Sequence, residues 1–297
     1  MQRSLYANSR VLRGCQIVLS RSLRLTWQEF DPPSRTSSPL SPFVISHGML
    51  GNKRNWTTVG RILAEKTSRK VYAVDLRNHG QSPHSDEMTF FSMAEDVVEF
   101  CRHHDIASSI LIGHSMGGRV AMTVALTRPE IVDRLVIVDA SPSPKLGTRW
   151  NWVMNVLRAM NQLDLSKVKN QMDADAKLRP LIEDKGLRQF VLTNLRKNAR
   201  HQYEWAANVP VMLASEKQLF TFPTFTTQFT KDTLFVGALK PNTLEPELDY
   251  IMDLFPTAKV RYLNTGHFVH HEDPKGFVEL IDAFVDPNRT QDVPHLY

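Results

Sequence analysis

Short apolar runs and longer amphipathic stretches take turns along most of the chain. "LRLTWQEF" (23–30) alternates apolar and polar positions and predicts a strand. After a Pro/Ser-rich connector (31–42), "FVIS" (43–46), "KVYAVD" (70–75), "SILIG" (109–113) and "RLVIVD" (134–139) are apolar runs of strand length. Between them, "WTTVGRILAEKT" (56–67), "FSMAEDVVEFCRHH" (91–104) and "GRVAMTVALTR" (118–128) carry apolar residues at helical spacing. Apolar strands alternating with helices describe a mostly parallel sheet covered on both faces.

From about residue 141 to 231 the alternation stops. "WNWVMNVLRAMNQL" (150–163), "DADAKLRPLIEDKG" (173–186) and "LRQFVLTNLRKN" (187–198) predict helices, and no strand is expected among them. Alternation resumes with strands at "TLFVG" (233–237) and "KVRYL" (259–263) and helices at 246–255 and 275–285. The expected architecture is an α/β domain over 23–286, with a helical cap inserted at about 142–231 and a tail at 287–297. The large apolar residues of the cap, among them Met154, Leu157, Met160, Phe222 and Phe229, could line an acyl-chain pocket. They could equally bury the cap against the sheet, and the helical spacing at 150–160 favours burial.

Composition narrows the classes. The chain has 297 residues, 42% hydrophobic and 23% charged, which is ordinary for a globular protein with a sizeable core. No apolar run approaches the ~18 residues of a membrane span. Cys15 and Cys101 make no disulfide framework, so a reducing compartment is the simpler expectation. The net charge of +5 owes most to Arg3, Arg10, Arg13 and Arg21, and residues 1–21 contain no acid. No basic cluster interleaved with aromatics suggests a nucleic-acid surface. A basic, acid-free, potentially amphipathic segment at 1–22 has the pattern of a mitochondrial transit peptide, and a disordered basic tail is the plainer alternative.

The chemistry centres on "LIGHSMGG" (111–118). Gly113-His114-Ser115-Met116-Gly117 fits G-x-S-x-G at a strand-to-helix junction, where a sharp turn lifts the serine oxygen and aims a helix N-terminus at it. Serine needs a base. His267, in "NTGHFVHHEDP" just after the last strand, is the candidate, with His270 and His271 as competitors. The oxyanion of an acyl transfer needs backbone donors. Met116 follows the nucleophile, and "SHGML" (46–50) offers Met49, with Leu50 as second choice. His and Cys lack metal-ligand spacing, and no metal or cofactor is expected.

Taken together, "HGMLGNKRNW", "VDLRNHGQSPH", "GHSMGGRVAM", "IVDASP", "FVLTNL" and "GHFVHHEDP" resemble the serine hydrolases of the α/β-hydrolase fold over residues 23–286. Within them they look like the α/β-hydrolase domain-containing 11 subfamily of animal mitochondria and its bacterial esterase relatives. The resemblance implies cofactor-free hydrolysis of carboxylic esters, lipid or acylglycerol esters included, by a Ser-His-acid triad. It also implies a mitochondrial matrix setting and association with a lipoylated dehydrogenase complex. The acid is less sharply marked. Asp139 closes the strand after the serine's own, and the resembling subfamily has an aspartate there; Glu245 and Glu247 are the alternatives, while Asp75 reads as structural. The same machinery would serve a thioesterase. A non-catalytic binding module of a mitochondrial complex would be expected to lose Ser115, His267 or "HGML", and all are present.

Overall fold

Seven strands pair into one sheet. The computed structural model describes residues 22–33, 40–144, 149–242 and 244–286. The expected targeting segment, apart from Ser22, and the C-terminal tail lie outside the described residues. The chain passes through β1 (Trp27–Phe30), β2 (Phe43–Ser46), α1 (Thr57–Thr67), β3 (Val71–Val74), α2 (Phe90–His103), β4 (Ser109–His114), α3 (Met116–Thr127) and β5 (Val132–Val138). The insertion follows, with α4 (Arg149–Gln162), α5 (Gln171–Leu178), α6 (Lys185–Leu192), β6 (Leu195–Lys197), β7 (Tyr203–Trp205), α7 (Val209–Ala214) and α8 (Glu216–Phe220). β8 (Thr233–Ala238), α9 (Leu248–Leu254), β9 (Ala258–Leu263), α10 (Val269–Glu272) and α11 (Pro274–Val285) complete the described chain.

The sheet order is β1-β3-β2-β4-β5-β8-β9, and only β1 is antiparallel to its neighbour. Side chains alternate across it, as the two-residue period of a strand demands. Phe43, Ile45, Ile110, Ile112, Val136 and Val138 face one way and pack with residues of α1 and α11. Val44, Leu111, Leu135 and Ile137 face the other way, into a core shared with α2, α3 and the insertion. That core takes in Met154, Leu157, Met160, Phe222 and Phe229, so these insertion residues are buried as part of it. Among the described residues no helix is long and apolar enough to cross a membrane.

The insertion differs from the expected all-helical cap. The predicted helix over 187–198 ends at Leu192, and Leu195–Lys197 pairs antiparallel with Tyr203–Trp205 as a short hairpin. The predicted helix over 173–186 also divides. Pro180 cannot continue α5, and Asp184 starts α6 by accepting the Leu187 N–H at 2.6 Å.

The strand order places the functional end of the sheet. From β2 the chain moves to β3 on one side, then crosses to β4 on the other. Such a reversal opens a crevice beyond the C-terminal ends of the two central strands. Ser46 lies opposite Gly113 at that end, so the loops that open with His47 and Ser115 flank the crevice.

Candidate active site

Ser115 occupies the turn between β4 and α3 with φ 52° and ψ −116°. A non-glycine residue pays about 1–3 kcal/mol for such backbone, which persists only where neighbours hold it. Here the Ser115 N–H donates to the Val138 carbonyl at 2.9 Å, and the Arg119 N–H donates to the Ser115 carbonyl at 3.2 Å. The turn is tight enough that a Cβ on Gly113 would overlap the Gly117 carbonyl. The strand–serine–helix sequence thus produces an elbow that lifts Ser115 at the N-terminus of α3.

Asp139 leaves the end of β5 with φ 45°. Its N–H donates to the Val236 carbonyl of β8 at 2.9 Å, and its side chain is fully buried. His267 follows β9, and its Nδ1 lies 2.6 Å from Asp139 Oδ2. A carboxylate oxygen only accepts, so Nδ1 carries the donated proton. The His267 loop is held on both sides of the residue. The Gly266 N–H donates to Glu272 Oε2 at 2.7 Å, and His114 Nε2–H donates to the His267 carbonyl at 2.9 Å.

The other candidates fall elsewhere. His270 and His271 belong to α10. The His270 ring stacks on Trp56 at 3.9 Å and 5°, fully inside the protein. Glu245 is exposed and accepts from Asn242 Nδ2 at 2.9 Å. The charge of Glu247 acts on buried Arg119, where burial lowers the guanidinium to about 9 and Glu247 opposes the shift. Asp75 is structural in its contacts. It forms a buried ion pair with Lys53 and accepts the Lys53 N–H at 2.6 Å and the Gln81 N–H at 2.9 Å. Burial alone would raise its carboxyl, but these donors hold it below its ordinary value.

The loop after β2 approaches the serine closely. A Cβ on Gly48 would lie 3.2 Å from Ser115 Cβ and 2.8 Å from His114 Nδ1. The Gly48 carbonyl is taken twice, by His47 Nδ1–H at 2.8 Å and by the Gly51 N–H at 3.0 Å. A trans peptide is planar, with its N–H opposite its C=O. Holding that carbonyl therefore fixes the direction of the Met49 N–H, which has no partner among the described residues. The Leu50 N–H differs, since it donates to His79 Nε2 at 3.2 Å. Met116 N–H, the first of α3, has no partner within its helix.

Four of these histidines are neutral supports. His79 and His114 are pushed down to about 3, His79 by burial and then by His47, His114 by burial and then by His267. Burial likewise lowers His47 and His270. Each neutral ring can then act as donor at one nitrogen and acceptor at the other. His47 accepts the Leu76 N–H at 3.0 Å while donating to Gly48, and His79 donates from Nδ1 to the Arg77 carbonyl at 2.9 Å while accepting from Leu50. The sequence marks His47 and His79 only as neighbours of glycine; their role becomes visible once β2 and β3 are side by side.

This burial has a consequence for acid stability. Above the ordinary histidine value of 6.5, folded and unfolded chains hold the same protons on His79 and His114. Below it the unfolded chain gains protons that the folded chain refuses until about 3. Stability is therefore complete above 6.5 and is lost as the pH falls from 6.5 toward 3. Thermal unfolding by circular dichroism should show a level Tm from pH 8 to 7 and a falling Tm between pH 6.5 and 5, above the range of ordinary carboxylates. A Tm that stays level down to pH 5 would contradict this assignment of neutral, buried imidazoles.

Comparison with known proteins agrees with the fold. The family model described as alpha/beta hydrolase fold matches residues 41–274. The sn-1-specific diacylglycerol lipase ABHD11 of Danio rerio is 35% identical over 272 residues, covering 89% of this chain and 83% of its own. Ethanol acetyltransferase 1 of Wickerhamomyces anomalus is 27% identical over 311 residues, covering 95% of this chain and 79% of its own. Among solved structures, a marine microorganism esterase superposes with a TM-score of 0.81 at 28% identity, covering 89% of this chain and all of the esterase.

Proposed function

Because the chain belongs to the α/β-hydrolase fold family, we propose that Ser115, His267 and Asp139 hydrolyse carboxylic esters, lipid acylglycerol esters among them, through an acyl-enzyme. The observation that carries this reading is the 2.6 Å contact between Asp139 and His267 Nδ1, at the same end of the sheet as the strained Ser115 elbow. His267 Nε2 takes the Ser115 hydroxyl proton as Oγ bonds to the ester carbonyl carbon. Negative charge moves to the carbonyl oxygen, where the Met49 and Met116 N–H groups stabilise it. The carbonyl re-forms, the bond to the alkoxy oxygen breaks, and His267 returns the proton to the departing alcohol. Water then attacks the acyl-serine by the same route, releasing the acid and restoring the Ser115 hydroxyl. Asp139 keeps the His267 proton on Nδ1 and stabilises the imidazolium in between.

The diacylglycerol lipase relatives support a lipid ester as substrate. The acid-free basic segment at 1–21 supports a mitochondrial address.

The test is a hydrolysis panel on the purified chain: p-nitrophenyl esters of increasing acyl length, a diacylglycerol in mixed micelles, and acyl thioesters of matched length. Ester turnover is expected, with a burst of p-nitrophenol on those activated esters for which deacylation by water is slower than acylation, so that the acyl-enzyme accumulates. Thioesters cleaved far faster than matched esters would move the assignment to a thioesterase. A folded protein that turns over none of them and fails to react with a fluorophosphonate would make the chain a binding module.

A further inference from the structure

The loop presenting the Met49 N–H is gripped from outside the sheet domain. Asn194 stands just after α6 in the insertion and is 1% exposed. Its Nδ2 donates to the Leu50 carbonyl at 2.8 Å, across 144 residues of sequence. A flipped amide would set oxygen against oxygen there, so the partner fixes the orientation. The Asn194 carbonyl in turn accepts the Ala206 N–H at 2.7 Å, which ties the residue to the end of the β6–β7 hairpin. Asn194 Oδ1 is buried without a partner among the described residues. A buried acceptor left unpaired costs stability, so the side chain's own solvation does not explain its presence.

What Asn194 holds is itself strained. Leu50 has φ 60°, in the left-handed region that a leucine seldom occupies. Its N–H is taken by His79 and its carbonyl by Asn194, so both backbone groups are engaged from opposite sides. The His79 side of the grip also leads back to the insertion. The Asn208 N–H donates to the Asn78 carbonyl at 2.9 Å, Arg196 Nη1 to the Gly80 carbonyl at 3.0 Å, and His84 Nε2 to the Ala206 carbonyl at 3.0 Å. The residues on either side of His79 are thus fastened to the same hairpin region.

We propose that Asn194 is a positioning residue: seated with the insertion, its amide locks the left-handed Leu50 and thereby aims the Met49 N–H at the oxyanion. This rests on the reading of Met49 as an oxyanion donor. Relaxation of Leu50 toward ordinary backbone would turn the Leu50–Gly51 peptide, whose carbonyl Asn194 holds and whose N–H holds the Gly48 carbonyl, and so would release the Gly48–Met49 peptide that carries the Met49 N–H. An oxyanion donor acts only when preorganised within hydrogen-bond range of the position the charge will take. Seating of the insertion and stabilisation of the transition state are then one event. Asn194 touches neither substrate nor serine in this role and acts through Leu50.

The test compares wild type with Asn194→Leu, which keeps the bulk and removes the donor, and Asn194→Ser, a smaller change whose side chain is too short to reach Leu50. The readouts are kcat and KM on a soluble p-nitrophenyl ester, the inhibition constant of a trifluoromethyl ketone, and Tm. The ketone forms a hemiketal with the serine and places its oxyanion between the backbone donors. In the folded variants kcat should fall by about 10–100-fold, less than the roughly 100–1,000-fold of a donor removed outright because the Met49 N–H is misaimed and not lost, with KM changed less than about threefold. Ketone affinity should fall by the same factor as kcat/KM. A merely structural role would reduce the amount of active enzyme and leave the inhibition constant unchanged, and that result would overturn the proposal. So would an effect on KM alone. Wild type that is inhibited by the ketone while both variants match it would sink the role of Asn194 alone. Wild type that hydrolyses esters but does not respond to the ketone would sink the oxyanion reading beneath it.

Discussion

Ser115→Ala should abolish labelling by a fluorophosphonate and lower ester turnover by roughly a millionfold, the scale on which loss of a serine nucleophile acts in proteases with the same triad. The change deletes a single oxygen at a position that is only partly buried. The bonds that stabilise the elbow run from the Ser115 N–H to Val138 and from the Arg119 N–H to the Ser115 carbonyl, and alanine retains both. The backbone strain at φ 52° is the same for either residue. Tm is therefore expected to stay within a few degrees of wild type, which separates lost chemistry from lost fold. Intact labelling of the alanine variant, with the adduct mapped by mass spectrometry to another residue, would place the nucleophile elsewhere.

Asp139→Asn should retain the fold and lower kcat by about ten-thousandfold, while Glu245→Gln and Glu247→Gln should stay within about twofold of wild type. The asparagine occupies the same volume, but its amide nitrogen is a donor. Facing His267 Nδ1, it favours the tautomer with the proton on Nε2, which cannot accept from serine, and it removes the charge that balances the imidazolium. The same exchange in the chymotrypsin-type triad, for which this magnitude was established, acts through the tautomer. Tm by calorimetry and kcat by stopped-flow or steady-state assay would be measured for all three variants. A collapse of kcat in Glu245→Gln or Glu247→Gln, with Asp139→Asn near wild type, would transfer the acid to the segment before α9.

The elbow is legible from sequence because everything that makes it is local. An apolar strand, a glycine-flanked serine and a helix follow one another within "SILIGHSMGGRVAM", and the backbone has few ways to join them. The sheet strands are legible for a similar reason, since their apolar runs are continuous and bounded by polar loops. The β6–β7 hairpin is not. Each of its strands has three residues, too few to display a two-residue period, and "FVLTNLRKN" continues the helical spacing of α6 without a break. Its tertiary partners are distant or non-periodic: the Ala206 N–H donates to the Asn194 carbonyl, and Arg196 reaches the Gly80 carbonyl in the loop after β3.

Composition and pattern alone determined that this chain forms a parallel sheet between helices, interrupted by an insertion, with Ser115 raised at a strand end and His267 following the last strand. These follow from interactions between near neighbours in the chain, together with the burial of apolar faces. The proposed acid and the proposed oxyanion donors depend on distant partners. Asp139 meets His267 across 128 residues because β5, β8 and β9 are adjacent in the sheet. Met49 is distinguished from Leu50 because β2 and β3 lie side by side and bring His79 to the Leu50 N–H. A hydrogen bond is set by distance and direction in space, and sequence spacing carries neither until the strands have taken their order.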